Sequence, residues 1–262
     1  MTASETIEQA ALQLRTAAEN HTPCPPVREL IGAEDLAVAY AVQSVNTALR
    51  TAGGARVVGK KIGLTSPAVQ QQLGVDQPDY GVLFADMQVQ DGGTFRHALS
   101  MQPKAEAEIA FVLGKDLSGD NLTEADVVAA IDYAVATIEI AGSRVANWDI
   151  RITDTIADNA SASHFVLGTQ RVALADLDVV GCRMVMERNG AVVSEGSGAA
   201  CMGSPLTATL WLAQTMADLG QPLKAGEVVL SGALGPMVAP EPGDAFTANI
   251  EGLGTVSVTF SE

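Results

Sequence analysis

The stretch QPKAEAEIAFVLGKDL, residues 102–117, decides how the rest of the chain is read. Its apolar run reads as a buried strand over 104–113, yet it carries Glu106 and Glu108 one residue apart. Side chains alternate along a strand, so Lys104, Glu106 and Glu108 face one way and Ala105, Ala107 and Ile109 the other. The two glutamate α-carbons then lie about 7 Å apart, which lets both carboxylates converge on one ion. A third carboxylate, Glu139, is embedded in VATIEIAG (135–142), where an unpaired charge is costly unless a partner or a metal neutralises it. Three carboxylates with no histidine set form a hard oxygen site, suited to Mg²⁺ or Mn²⁺ rather than Zn²⁺. The alternative puts Glu106 and Glu108 on the wet face of an edge strand, with Glu139 capping another element. Spacing alone favours that alternative, because E-x-E is common in surface strands.

On the N-terminal side, apolar residues at Ile7, Ala10, Ala11, Leu14, Ala17 and Ala18 predict a helix over 3–19, with Thr2 and Glu5 as a capping box. HTPCPP (21–26) stops it. A second helix fits 34–51 and ends at Gly53-Gly54, and RVVGKKIGLT (56–65) reads as a strand running into a loop. Ser66-Pro67 predicts a short helix through Leu73. From residue 81 the chain changes character, with β-like runs near 82–89, 104–113, 135–141, 163–168, 182–188, 226–231, 245–251 and 255–260. Asn189-Gly190 marks a hairpin. Helices are expected there only twice, over 124–133 behind Thr123, and over 205–219 with Ser204 as cap, Pro205 in the first turn and Gly220 as stop. The result is an α+β chain: a helical N-terminal part with the first strand (1–80), then a β-rich body (81–262).

The 262 residues suffice for one large domain, and 47% apolar content with 25 glycines fits a compact fold with many tight turns. A formal charge of −16 excludes nucleic acid and anionic membrane as partners, since no Lys/Arg cluster exists to neutralise phosphates. The opening MTASETIEQAALQL lacks the basic region and apolar run of a secretory signal, so the expectation is a cytoplasmic protein. Cys24, Cys182 and Cys201 are widely spaced and odd in number, which predicts buried thiols.

Other polar groups are ambiguous singly. GKKIG (59–63) sends Lys60 and Lys61 to opposite faces of a strand, so one can enter a site while the other is solvated. QPDYG (77–81) presents Asp79 in ordinary turn chemistry, and ADNASAS (157–163) places Ser161 in a loop. His21, His97 and His164 have no ligand or triad spacing, and no G-x-S-x-G, phosphate-loop or dinucleotide glycine motif is present.

The combination says more. GKKIGLTS, GVDQPDYGVLFADM, PKAEAEIAFVL, IEIAGSR, DTIADNASAS and SGALGPM occur in this order. Together they resemble the 2-hydroxypenta-2,4-dienoate hydratases of the hydratase and decarboxylase family, within the fumarylacetoacetate hydrolase superfamily. The resemblance implies a mixed β-sandwich roll with a helical N-terminal part, a homo-oligomeric ring, and a divalent metal, Mg²⁺ or Mn²⁺, on Glu106, Glu108 and Glu139. It reverses the balance between the two readings of those glutamates. It also points to Lys61 rather than Lys60, matches Asp79 and Ser161 to polar pocket positions, and matches Leu83 to an apolar wall.

The implied reaction is hydration of a 2-hydroxydienoate through its 2-oxo-3-enoate tautomer, in the meta-cleavage catabolism of aromatic compounds. Asp79 is then assigned to the water, Lys61 to proton relay and Ser161 to substrate orientation. The rival within the family is a 2-oxo-3-hexenedioate (4-oxalocrotonate) decarboxylase, which needs no water-activating base. Related decarboxylases tend to carry an apolar residue where this chain has Asp79. A hydratase for a longer substrate would require a cation for the second carboxylate. A non-catalytic scaffold for a companion aldolase or decarboxylase is a further alternative; loss of metal ligands would favour it, and none is lost.

Overall fold

The computed structural model describes residues 2–66, 70 and 77–262. The helix expected from Ser66-Pro67 through Leu73 lies outside the described residues. Helix α1 (Ala3–Asn20) begins at the expected capping box, in which the Glu5 amide donates to Thr2 Oγ1 and the Thr2 amide to Glu5 Oε2. A short α2 (Arg28–Ile31) leads to α3 (Leu36–Ala52), capped by Asp35, whose side chain accepts from the Val38 amide.

Twelve described strands follow: β1 (Val57–Gly63), β2 (Asp79–Phe84), β3 (Gln88–Val89), β4 (Gly93–Arg96), β5 (Lys104–Leu113), β6 (Ile131–Ala141), β7 (Ala162–Leu167), β8 (Arg183–Arg188), β9 (Ala191–Ser197), β10 (Val228–Ala233), β11 (Ala245–Ile250) and β12 (Gly254–Ser261). They form two mixed sheets, a seven-stranded one in the order β2-β1-β10-β5-β6-β7-β3 and a five-stranded one in the order β4-β12-β11-β8-β9. The seven-stranded sheet draws on both parts of the chain, since β1 is hydrogen-bonded between β2 and β10.

Three described helices interrupt this body rather than two: α4 (Glu124–Ala130), α5 (Ile152–Ala157) and α6 (Pro205–Asp218). Helix α5 was hidden because all six of its residues are buried, so no apolar stripe at helical period marks it. Its start is fixed by Asp154, whose Oδ2 accepts from the Arg151 amide and pairs with the Arg28 guanidinium at 2.6 Å.

Alternation along the strands sorts the core. One face of the seven-stranded sheet, with Ile109, Phe111 and Ile138, packs against Phe246, Phe260 and Met186 of the five-stranded sheet and Leu212 of α6. The opposite face is apolar at one end, around Ala110, Val135, Phe165 and Leu230, and carries Glu106, Glu108 and Glu139 at the other. The N-terminal helices pack on α5 through Leu14, Val42 and Ile156. Gln43 of α3 ties the layers together, its Nε2 donating to the carbonyls of Tyr80 and Ile156 at 2.9 Å each. Strand β2 and helix α5 are thereby braced side by side.

Candidate active site

The antiparallel register of β5 and β6 sets Glu139 directly opposite Glu106, with Glu108 one pleat further along the same face. One carboxylate oxygen from each lies within 4.8 Å of the others. All three residues are buried, Glu108 and Glu139 to 1% exposure. Glu108 Oε2 accepts from the Gly232 amide at 2.9 Å and Glu139 Oε1 sits beside the Lys61 ammonium, while Glu108 Oε1 and Glu139 Oε2 have no partner among the described residues.

Burial pushes the pKa of each carboxyl up. Glu139 and Glu106 push Glu108 further, and Glu139 is raised to about 7 even though Lys61 pulls the other way. Buried, mutually repelling, unpartnered carboxylate oxygens need a proton or a cation. This all-oxygen set fits a hard divalent cation, and an isolated structural ion pair does not account for the orphaned atoms.

Lys61, on β1, faces the cluster. Its Nζ lies 3.2 Å from Glu139 Oε1 and donates to the Ala160 carbonyl at 3.1 Å. Burial works against the ammonium, but Glu139, Glu106, Asp79 and Glu108 outweigh it and hold the pKa above its ordinary value. Lys60 faces the other way, as expected. It is not solvated, however: it is 8% exposed, two residues before core residue Ile62, and burial lowers its pKa. Alternation holds, and only the expected solvation fails, because this strand is covered on both faces.

Asp79 opens β2 instead of sitting in a turn, paired in register with Gly63. It is 1% exposed; Oδ2 accepts from Thr155 Oγ1 of α5 at 3.1 Å and Oδ1 has no hydrogen-bond partner among the described residues. Burial raises its pKa, and Lys61 and the Thr155 hydroxyl pull it back. Gly63 makes room for it, since a Cβ there would stand 2.2 Å from Asp79 Oδ1.

Ser161 is buried with its hydroxyl unpartnered. It ends three consecutive left-handed residues, Asn159, Ala160 and Ser161, at φ 56°, 50° and 55°. Such backbone costs on the order of 1–3 kcal/mol per residue and persists only where neighbours hold it. Here Asn159 clasps β2, accepting from the Val82 amide at 2.7 Å and donating to the Val82 carbonyl at 2.9 Å, while Lys61 holds the Ala160 carbonyl.

Lys61, Asp79, Glu106, Glu108 and Ser161 thus line one cavity of about 280 Å³. Leu83 does not line it. Two pleats beyond Asp79 on β2, it sits in the apolar cluster on the same sheet face, past Gly81. Sequence reading missed Thr155, Gly63 and Gly232. A threonine inside a buried helix and glycines without turn context carry no pattern that announces a partner.

Residues 57–261 match the family described as Fumarylacetoacetate (FAA) hydrolase C-terminal, and the chain belongs to it. Among its relatives, the chain is 57% identical over 256 residues to the "TodF product hydratase" of Pseudomonas putida strain F1, covering 98% of this chain and 96% of that one. It is 51% identical to the "2-keto-4-pentenoate hydratase" of Burkholderia vietnamiensis strain G4, with full coverage of both. Among solved structures it is similar to 4-oxalocrotonate decarboxylase from Pseudomonas putida G7, complexed with magnesium and adipate. That match has a TM-score of 0.94 and 36% identity over 99% of this chain and 98% of that one. No described helix is long and apolar enough to cross a membrane.

Proposed function

We propose that this chain is a hydratase that converts 2-hydroxypenta-2,4-dienoate, through its 2-oxo-3-enoate tautomer, to 4-hydroxy-2-oxopentanoate. The observation that carries this reading is Asp79: a buried carboxylate with one oxygen unpartnered among the described residues, in the cavity that Lys61, Glu106 and Glu108 also line. Addition of water needs a base at that place, and loss of CO₂ does not. The named hydratase relatives at 51–57% identity support the same choice.

Glu106, Glu108 and Glu139 would hold a divalent cation, and the oxygen-only donor set favours Mg²⁺ or Mn²⁺. When bound, the cation supplies Lewis-acid stabilisation of negative charge on the substrate 2-oxygen. Lys61 Nζ delivers a proton to C5 as the dienol ketonises and recovers one from the 2-hydroxyl. Asp79 Oδ1 takes a proton from the water that attacks C4, and return of that proton to C3 completes the addition and restores the carboxylate. Ser161, which lines the cavity and whose Oγ has no hydrogen-bond partner among the described residues, orients the substrate carboxylate. Assembly as a homo-oligomeric ring belongs to the same reading and is supported by the resemblance.

The second reading, 2-oxo-3-hexenedioate decarboxylation, is favoured by the TM-score of 0.94 to a decarboxylase. One experiment separates them. Freshly generated 2-hydroxypentadienoate and 2-oxo-3-hexenedioate are each incubated with Mg²⁺-loaded protein, following ultraviolet absorbance and identifying products. The hydratase reading predicts 4-hydroxy-2-oxopentanoate from the first; release of CO₂ from the second without hydration of the first would replace it.

A further inference from the structure

Among the described residues, five charged side chains line the cavity: Lys61, Asp79, Glu106, Glu108 and Lys104. Four belong to the machinery described above. Lys104 starts β5 and, by alternation, shares the face of Glu106 and Glu108, with its α-carbon about 7 Å from that of Glu106. Among the described residues it has no ion-pair partner. Its ammonium is instead seated over the indole ring of Trp148, 4.2 Å from the centroid.

That seat is built. Gln102, two residues before Lys104, grips the loop that carries Trp148: its Nε2 donates to the carbonyls of Ser143 and Val145 at 2.9 and 2.8 Å, and its Oε1 accepts from the Asn147 amide at 2.7 Å. Trp148 Nε1 returns a hydrogen bond to the Gln102 carbonyl at 3.0 Å. Asn147 and Trp148 are both left-handed, at φ 59° and 54°, a backbone that the clamp maintains. Ile150 and Met237 complete an apolar wall at this end of the cavity. A cation held by an aromatic face beside apolar walls, which feels the charge of Glu106 but makes no ion pair among the described residues, is arranged to receive an anion from a ligand.

We propose that Lys104, presented by Trp148, is a carboxylate subsite that admits 2-hydroxydienoates and 2-oxoacids bearing a second, terminal carboxylate. A ligand whose 2-oxoacid end is at the glutamates can place its far end at Lys104, because both sit on one strand face. The inference goes beyond the hydratase reading, whose substrate has one carboxylate, and rests on it for the 2-oxoacid end of the ligand.

The test uses Mn²⁺-loaded full-length protein and two probes of equal chain length, 2-oxoadipate and 2-oxohexanoate, which differ by the terminal carboxylate. Calorimetry should find 2-oxoadipate bound about tenfold more tightly by wild type, the scale of one charge-assisted hydrogen bond. In Lys104→Met, 2-oxoadipate should weaken until the two agree within about twofold, with 2-oxohexanoate binding as in wild type. Thermal melting of the Mn²⁺-loaded variant checks that it is folded. Equal affinity for both probes in wild type, or a preference that survives Lys104→Met, overturns the assignment. Hydration of 2-hydroxypentadienoate by the same wild-type preparation is scored separately, so failure of the hydratase reading is told apart from failure of the subsite.

Discussion

Asp79 has one carboxylate oxygen on the Thr155 hydroxyl and the other without a hydrogen-bond partner among the described residues, and the second is the oxygen assigned to the water. Asp79→Asn should therefore slow addition at C4 by on the order of 100-fold or more, the scale of a lost general base. Ketonisation should suffer less, because Lys61 stays in place. Proton NMR in D₂O follows both steps: exchange into C5 should continue and the unsaturated ketone should accumulate. Unchanged product formation would remove Asp79 from the chemistry, and parallel loss of exchange would move it to an earlier step. Glu108 supports a second residue-scale prediction. Its folded pKa is raised, so the folded state keeps a proton that the unfolded state has lost, and the group opposes folding as pH rises above about 4.5. At pH 8 metal-free Glu108→Gln should melt above metal-free wild type, yet gain little on adding Mg²⁺, whereas wild type should gain. A metal-induced shift as large as that of wild type would show that Glu108 is not a ligand.

Strand geometry decides what adjacent lysines do. Lys61→Met should be severely impaired, since it removes the cation facing Glu139, while Lys60→Met, on the opposite buried face, should keep full turnover and melt no lower than wild type. Equal effects on turnover at the two positions would contradict the faces assigned to β1. On β7, His164 packs against the Phe95 ring at 4.5 Å, and burial lowers its pKa from 6.5 to about 4. Below pH 6.5 the unfolded chain protonates this histidine and the folded chain does not, so stability falls as pH drops toward 4. The loss is on the order of 3 kcal/mol across that window. His164→Gln should flatten this part of the stability–pH curve measured by urea unfolding; an unchanged slope would show that the imidazole is charged in the fold. Most elements were legible: the capping box of α1, the limits of β5, and Ser204-Pro205 at the start of α6 all state themselves in local chemistry. Helix α5 and the short strand β4 did not, the first because it is buried throughout, the second because four residues give no period to read.

At the scale of the whole molecule, the site exists only because one sheet collects distant pieces. Strands β1, β2, β5, β6 and β10 bring Lys61, Asp79, the three glutamates and the Gly232 amide together, and the strained turn at 159–161 is clasped from β2. The convergence of Glu106 and Glu108 was readable from E-x-E, and the resemblance implied that Glu139 joins them; the register that sets Glu139 opposite Glu106 was not readable, because pairing between β5 and β6 is a tertiary fact. Lys60 shows the converse limit: alternation gave its direction, and nothing local revealed that the far face is covered too. The central claim is that the three-glutamate cluster is the cation site on which hydration depends. The most direct test strips the protein with chelator, retitrates it with Mg²⁺, and measures bound metal and hydration of 2-hydroxypentadienoate in the same samples. The account predicts no hydration without metal and recovery in proportion to occupancy of a site that Glu139→Gln abolishes; full hydration by protein shown to carry no metal would contradict it.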